Sequence, residues 1–347
     1  MDLLDELSGG VKFHSLSKPV LSIKNIKTIR KIIVDYNIRI IINQWCLPFY
    51  TTIICDMARF LTGCKLISVL HGLPDKSKKV LYVEELVRNS SPRMKWFAKT
   101  KLYLTNYVIK QSIRFVYRFS DRYILLSESF KNSFVEYTKM KDTQKLLCIG
   151  NPITIETDYD NDYISKKKQQ ILYVGRLDMV NKRVERIIEA WESIATEFKD
   201  WSLILVGDGP HRKRLQNYVA LNCIPRVSFM GFVKEEPTEF YKQASVLMLT
   251  SDLEGFGLVI VEAMSYGVVP LVYGSYQAVF DIIDNGRDGI ITQYPYSKDA
   301  TVKALKCLLS NEKRRTEMAY AAVKKSKDFY IEPVVKNWEK AFLDLAQ

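Results

Sequence analysis

The sequence predicts an α/β protein built on parallel sheets in two successive halves. Three observations carry this. Short apolar runs rich in Ile, Val and Leu alternate with stretches of helical spacing along most of the chain, the signature of strand–helix–strand units. A polar break over 156–170 separates two such series. Glycine-containing turns recur where the apolar runs end, at the sheet edge where ligands bind in open α/β folds. The expected division is an N-terminal domain over 1–155, a linker over 156–170, a second domain over 171–330 and a closing helix over 331–347.

Taken in order, residues 11–16 read as a strand. Residues 23–36 place apolar side chains at 23, 26, 29, 32 and 33, a helical spacing. Residues 38–43 form a buried strand, 49–61 a helix and 65–70 the next strand, followed at its carboxyl end by His71-Gly72-Leu73-Pro74. Strands are expected at 123–126 and 146–149, with a helix at 129–137 between them. The second series has strands at 171–174, 202–206, 227–230, 246–250 and 269–272. Its helices fall at 183–198, 213–222, 237–244, 258–266, 300–309, 312–329 and 334–346.

Composition narrows the function. The 347 residues are 47% hydrophobic and 26% charged, which excludes a disordered chain. Six cysteines lie at 46, 55, 64, 148, 223 and 307 without a Cys-x-x-Cys pair, and there are only three histidines. That argues against a zinc module or a disulfide scaffold and for reduced, mostly buried thiols. No apolar run is long enough to span a bilayer, and the start has no signal-peptide pattern, so a cytoplasmic location is expected. The net charge of +12 is one-sided: residues 1–150 hold 25 Lys+Arg against 12 Asp+Glu, and the remainder 26 against 27. An anionic partner for the first half follows. From Arg88 to Arg122, nine cations face one acid, and seven aromatic residues are interleaved with them. This stretch reads either as a solvated helix face or as a site for an anionic membrane surface or lipid-diphosphate acceptor. Nucleic acid is not expected, since no binding motif accompanies the charge.

Four clusters carry the chemistry. Glu254-Gly255-Phe256-Gly257-Leu258-Val259-Ile260-Val261-Glu262 joins a strand to a helix. Its glycines admit close backbone approach, and its helix start offers free N–H groups to a phosphate. Two carboxylates beside such a seat need partners of their own, and sugar hydroxyls fit. In the structural alternative, Glu254 caps the helix and Glu262 is a half-buried acid. Tyr173-Val174-Gly175-Arg176-Leu177, with Lys182 further on, sets two cations at a strand end; they suit a diphosphate or are solvated surface charges. Val206-Gly207-Asp208-Gly209-Pro210 and Gly231-Phe232-Val233 are turns that present backbone to a nucleotide or simply reverse the chain. The Asp158-Tyr159-Asp160-Asn161-Asp162 run contains a DxD but fails as a calcium loop, with Tyr163 where glycine is required; no metal is expected.

In this order the clusters resemble the retaining nucleotide-sugar glycosyltransferases of the GT4 type. That resemblance implies the GT-B fold, two Rossmann-like domains facing each other across a cleft. It is strong over 171–292 and fainter over 1–150. It implies hexosyl transfer from a UDP- or GDP-sugar to a glycan or lipid-linked sugar, without a metal or other cofactor, at the inner face of the cell membrane. It assigns Glu254 to the transferred sugar's hydroxyls, Glu262 to the ribose, Arg176 and Lys182 to the diphosphate, and the backbone of Gly257, Leu258 and Val259 to phosphate. Gly175, Asp208, Gly255 and Phe256 join the nucleotide-sugar site, Phe232 and Val233 bracket the base, and His71 approaches sugar and acceptor. In such enzymes the acceptor attacks on the face that the diphosphate leaves, and the leaving phosphate takes its proton. Catalysis then rests on leaving-group stabilisation and positioning.

The sequence departs from the family pattern at three places. One extra residue separates Arg176 from Lys182. Gly274-Ser275-Tyr276-Gln277 leads to Asp281 where the family has a Gly-Gly pair and Glu. The initial strand, Gly-Gly loop and helix are not found, Gly9-Gly10 having no strand before it, so a shortened N-terminal domain is expected. An inactive homologue or fragment that binds nucleotide or supports a partner enzyme is the competing expectation.

Overall fold

A computed structural model describes residues 11–47, 49–155, 164–234 and 237–346. Gly9-Gly10 and the acidic run at 158–162 lie outside the described residues. The described chain divides into two compact units. The first runs to Leu70 and adds 107–124 and 140–147; the second takes 71–106, 125–139 and the chain from Cys148 onward.

The first part of the chain contributes α1 (Ile23–Asp35), β1 (Ile40–Asn43), α2 (Tyr50–Arg59), β2 (Lys65–Leu70), α3 (Lys78–Asn89), α4 (Lys95–Phe119), β3 (Arg122–Leu125), α5 (Phe130–Thr138) and β4 (Leu146–Cys148). These strands form a sheet of order β1-β2-β3-β4, and β1 pairs with β2 in parallel. Ile33 of α1 packs on Ala58 and Cys64 to make a small core beside it. The strand expected at 11–16 is absent: Val11, Phe13 and Leu16 are exposed. The segment is instead tied to α1 by the buried Asn25, whose amide side chain accepts from the Ser17 N–H at 2.9 Å and donates to its carbonyl at 2.8 Å. Apolar alternation alone does not make a strand; pairing and burial decide, and these side chains are not buried.

The rest of the chain follows as β5 (Gln170–Val174), α6 (Val184–Glu192), β6 (Ser202–Val206), α7 (Arg212–Leu221), β7 (Val227–Gly231), α8 (Thr238–Gln243), β8 (Val246–Leu249), α9 (Leu258–Ser265), β9 (Val269–Tyr273), α10 (Val279–Ile282), β10 (Ile290–Thr292), α11 (Lys298–Ser310), α12 (Glu312–Ser326) and α13 (Ile331–Ala346). The six strands are ordered β10-β9-β8-β5-β6-β7, and their described pairings are parallel. All four residues of β8 are buried, as expected for a central strand covered by helices on both faces. Trp191 of α6 is fully buried, its indole N–H donating to the Pro225 carbonyl at 2.9 Å. The chain builds outward from β5 to β7, then returns to place β8 on the other side of β5. The switch point of the sheet therefore lies between β5 and β8, the position at whose carboxyl edge open α/β sheets bind their ligands.

The cysteines are free thiols. Cys46 and Cys64 are buried, but Cys223 and Cys307 are exposed, so the thiols are less uniformly buried than expected. Among the described residues, no helix is long and apolar enough to cross a membrane.

Candidate functional site

The turns after β5, β6, β7 and β8 are knitted together by backbone bonds. Gly175 N–H donates to Val206 O at 3.0 Å, Leu177 N–H to Asp208 O at 2.9 Å and Gly207 N–H to Gly231 O at 2.8 Å. On the other side of the switch point, the Asp252 N–H donates to Asn181 O at 2.8 Å, joining the Lys182 loop to the Glu254 loop. The four sequence clusters thus share one sheet edge.

The Lys182 loop is shaped by its own side chains. Asp178 Oδ1 accepts from the N–H groups of Val180 and Asn181 at 2.7 and 3.2 Å, an Asx turn. Arg183 then adopts a left-handed φ of 51° just before α6, a conformation that costs a non-glycine residue about 1 kcal/mol. A clamp at Asp252 holds it: Arg183 Nε and Arg186 Nη1 each reach that carboxylate at 2.6 Å. Arg186 also lies over both Tyr273 and Tyr296, with its guanidinium carbon 5.3 and 4.3 Å from the ring centres. The extra residue in this loop is accommodated, and Lys182 Nζ reaches Glu254 Oε1 at 2.5 Å. The pair is mostly buried, with the side chains 24% and 11% exposed.

Glu254 does not cap the following helix. The N-cap of α9 is Gly257, at φ +94°, with no side-chain cap bond. A Cβ on Gly255 would sit 2.2 Å from the His71 carbonyl, so glycine is what lets the β2 turn abut this loop. The His71 imidazole is exposed at its edge, and partial desolvation lowers its pKa below the ordinary histidine value. Leu258 and Val259 are half-buried in the first turn of α9, while the Phe256 ring turns inward. It packs against Phe329, with ring centres 5.8 Å apart, which leaves only its backbone to the site. Glu262 is half-buried on α9 and accepts from the Tyr241 hydroxyl of α8 at 2.9 Å.

The remaining expected residues are more peripheral. Arg176 is exposed, its carbonyl fixed by the Tyr173 hydroxyl at 2.8 Å, and no carboxylate pairs with its guanidinium among the described residues. Gly175 stands beside it at the end of β5. Asp208 is exposed and accepts from the Gly209 N–H at 2.6 Å and from Arg212 at 3.2 Å. Phe232 is 76% exposed, with Val233 half-buried behind it. Asp281 is occupied by Ser127 and Ser129, accepting from both hydroxyls and, at 2.9 Å, from the Ser129 N–H.

Sequence reasoning missed two contributors, Tyr241 and Asp252, which act through contacts with Glu262 and with the two arginines. No motif marks them. Tyr173 opened one of the quoted clusters without a role, and its hydroxyl fixes the Arg176 carbonyl. The signal available was a polar residue inside an otherwise apolar buried run, as with Tyr173 in β5.

Residues 155–325 match the sequence model of glycosyl transferases group 1. An uncharacterized glycosyltransferase of Haemophilus influenzae is 26% identical over 226 residues, covering 63% of this chain and 60% of its own length. An undecaprenol-linked-glycan alpha-1,4-N-acetyl-D-galactosaminyltransferase of Campylobacter jejuni is 28% identical over 233 residues, 67% of this chain and 62% of that one. The chain thus spans about three fifths of the length of the curated relatives it matches. Among solved structures, Anabaena HepE in complex with UDP and glucose superposes with a TM-score of 0.70 at 18% identity, over 94% of this chain and 82% of that one. The fold is accordingly that of the GT-B glycosyltransferases. Over residues 155–325, just under half of its length, the chain is similar to the glycosyl transferases group 1 family.

Proposed function

We propose that the chain transfers a hexosyl group from a UDP- or GDP-linked sugar to a glycan or lipid-linked sugar, with retention, in surface polysaccharide assembly. The observation that carries this reading is the Lys182–Glu254 ion pair at the switch point of the six-stranded sheet, beside the uncapped start of α9. A cation and a carboxylate held there suit a sugar diphosphate: Lys182, with Arg176, turns to the diphosphate, and Glu254 turns to the sugar hydroxyls. The N–H groups opening α9 add to the phosphate seat. Glu262, oriented by Tyr241, takes the ribose. Charge on the departing diphosphate is met by fixed cations and dipoles, so positioning and electrostatics supply the catalysis. His71, neutral near pH 7 because its pKa is lowered, stands at the acceptor side. The HepE complex with UDP and glucose, and the undecaprenol-linked acceptor in the Campylobacter relative's name, support the donor and acceptor classes.

Calorimetric titration with UDP and GDP, followed by a hydrolysis screen of their sugars, tests this. Binding with slow sugar release is expected. Glu254→Ala is expected to cut turnover far more than nucleotide affinity, and Glu262→Ala to weaken nucleotide binding. Equal effects of the two on UDP binding would refute the assignments, and binding without turnover would favour a nucleotide-binding module.

An anionic membrane surface is the proposed second partner. Helix α4 contains no Asp or Glu, and its opening turns expose Trp96, Phe97, Tyr103 and Leu104 among Lys95, Lys99 and Lys101. Aromatic rings with interspersed cations suit an anionic headgroup layer. Cosedimentation with phosphatidylglycerol vesicles is expected, with loss on Lys/Arg→Ser changes at 95, 99, 101, 110, 114 and 118. Failure of the unmodified protein to cosediment would end the idea.

A further inference from the structure

The loop after β9 supplies a group that the donor-site reading does not use. Ser275 Oγ donates to the Ser251 carbonyl at 2.6 Å, fastening this loop to the segment that leads to Glu254. The next residue, Tyr276, is 2% exposed, and its hydroxyl has no hydrogen-bond partner. A Cβ placed on Gly257 would lie 2.7 Å from that oxygen, so the hydroxyl sits directly behind the N-cap of α9. Burial above all, and then the Glu254 carboxylate, disfavour its ionisation.

A buried hydroxyl without a partner is destabilising, and native interiors seldom keep one without a reason. Here it is not alone. Ser251 Oγ and Asn181 Oδ1 are also buried without partners. Both belong to the two loops that the Asp252–Asn181 backbone bond joins. Unmet polar atoms thus recur in the loops around the Glu254 segment, and the Tyr276 hydroxyl, a donor, is the one that lies against the uncapped start of α9, where anions bind. Its place beside Glu254, which the proposed function gives to the sugar, puts it at the sugar end of a bound nucleotide. Glu262 marks the ribose end, deeper in α9.

We propose, resting on the donor-site reading above, that Tyr276 is a phosphate-binding residue whose hydroxyl donates to the sugar-proximal phosphate of a nucleoside diphosphate sugar at the start of α9. The nucleoside-proximal phosphate lies beyond its reach and stays with the backbone and the cations. Tyr276 also keeps Gly257 free of a side chain, because any Cβ there would strike it.

The test compares the full chain with Tyr276→Phe, titrating UDP and UMP and melting each protein without nucleotide. A hydrogen bond to a charged oxygen is worth roughly tenfold or more in affinity. UDP should therefore bind the variant roughly tenfold more weakly, UMP should bind unchanged, and the nucleotide-free melting temperature should stay level or rise, since an unpaired polar atom has been removed. Equal losses for UDP and UMP, an unchanged UDP affinity, or a lower nucleotide-free melting temperature would each overturn the proposal. Failure of the unmodified protein to bind UDP or GDP would sink the donor-site reading and this proposal with it. Intact binding with an indifferent variant would sink this proposal alone. Were the variant not to fold, 3-fluorotyrosine labelling of the unmodified protein decides: the Tyr276 fluorine resonance should shift with UDP and not with UMP, and the absence of a UDP-specific shift would overturn it.

Discussion

Asp252 is the joint on which the Lys182–Glu254 arrangement depends, and Asp252→Asn isolates it. Its carboxylate holds Arg183 and Arg186 at 2.6 Å each, and all three side chains are only 18–29% exposed. A hydrogen bond to a charged group contributes about 1.5–3 kcal/mol, and partial exposure takes the lower end of that range. The amide keeps one oxygen, so one arginine retains an acceptor while the other meets an NH2 group. The net loss is therefore about 2 kcal/mol, a drop of about 4–8 °C for a cooperative unit of this size. The cation–π contacts of Arg186 with Tyr273 and Tyr296 survive the change, which keeps the loss from growing larger. The left-handed Arg183 loses its restraint, so the Lys182 loop loosens and UDP should bind about tenfold more weakly. Thermal melting by circular dichroism at 222 nm, with calorimetry on UDP, reads both. A melting temperature within about 1 °C of the parent would refute the clamp. A large drop with unchanged UDP affinity would refute its link to the site.

Three further outcomes are expected. Tyr241→Phe removes a hydroxyl donor to Glu262 and should raise KM for the donor several-fold with kcat nearly kept; a fall in kcat alone would contradict a positioning role. His71 should titrate by NMR below the ordinary value of about 6.5, because burial disfavours its charged form. Its contribution to stability is complete above the unfolded-state value and is lost as pH falls from there through the lower folded-state value; a midpoint at or above the unfolded-state value would contradict the placement. In a thermal double-mutant cycle of Lys182→Ala and Glu254→Ala, the two single losses should sum to about 1–2 kcal/mol more than the double loss, and additivity would mean that the pair is not coupled.

How much of this was legible in the sequence depends on the range of the interactions. The β/α alternation and the strand-end turns are local, so β2 was read at its observed bounds and most other elements within a few residues. Elements of one turn or three residues, α10 and β10, carry too little periodicity to register. Helix α3 was overlooked because mixed charges interrupt its apolar face. The 183–198 helix stops at Glu192, where the chain continues as turns that place Ile194 and Ala195 in the core. Burial, not helical spacing, explains those apolar positions. The error at 11–16 has the same origin: the apolar alternation was visible, but the exposure of Val11, Phe13 and Leu16 was not.

The site divides along the same line. Residues read by type and spacing, such as Glu254, Glu262, Arg176 and Lys182, lie at one sheet edge because strand ends are where a parallel sheet presents its loops. What fixes them was illegible, because Tyr241 reaches Glu262 across 21 positions and Arg183 reaches Asp252 across 69. Phe256 shows the limit of motif reading from the other side. It belongs to the Glu-x7-Glu box, yet its ring is 5% exposed and packs on Phe329. The box therefore combines two demands, ligand contact at the carboxylates and glycines, and anchorage at the aromatic between them. A substitution at Phe256 should act through loop position, and one at Glu254 through the ligand. Two residues apart in sequence, they answer to different physics.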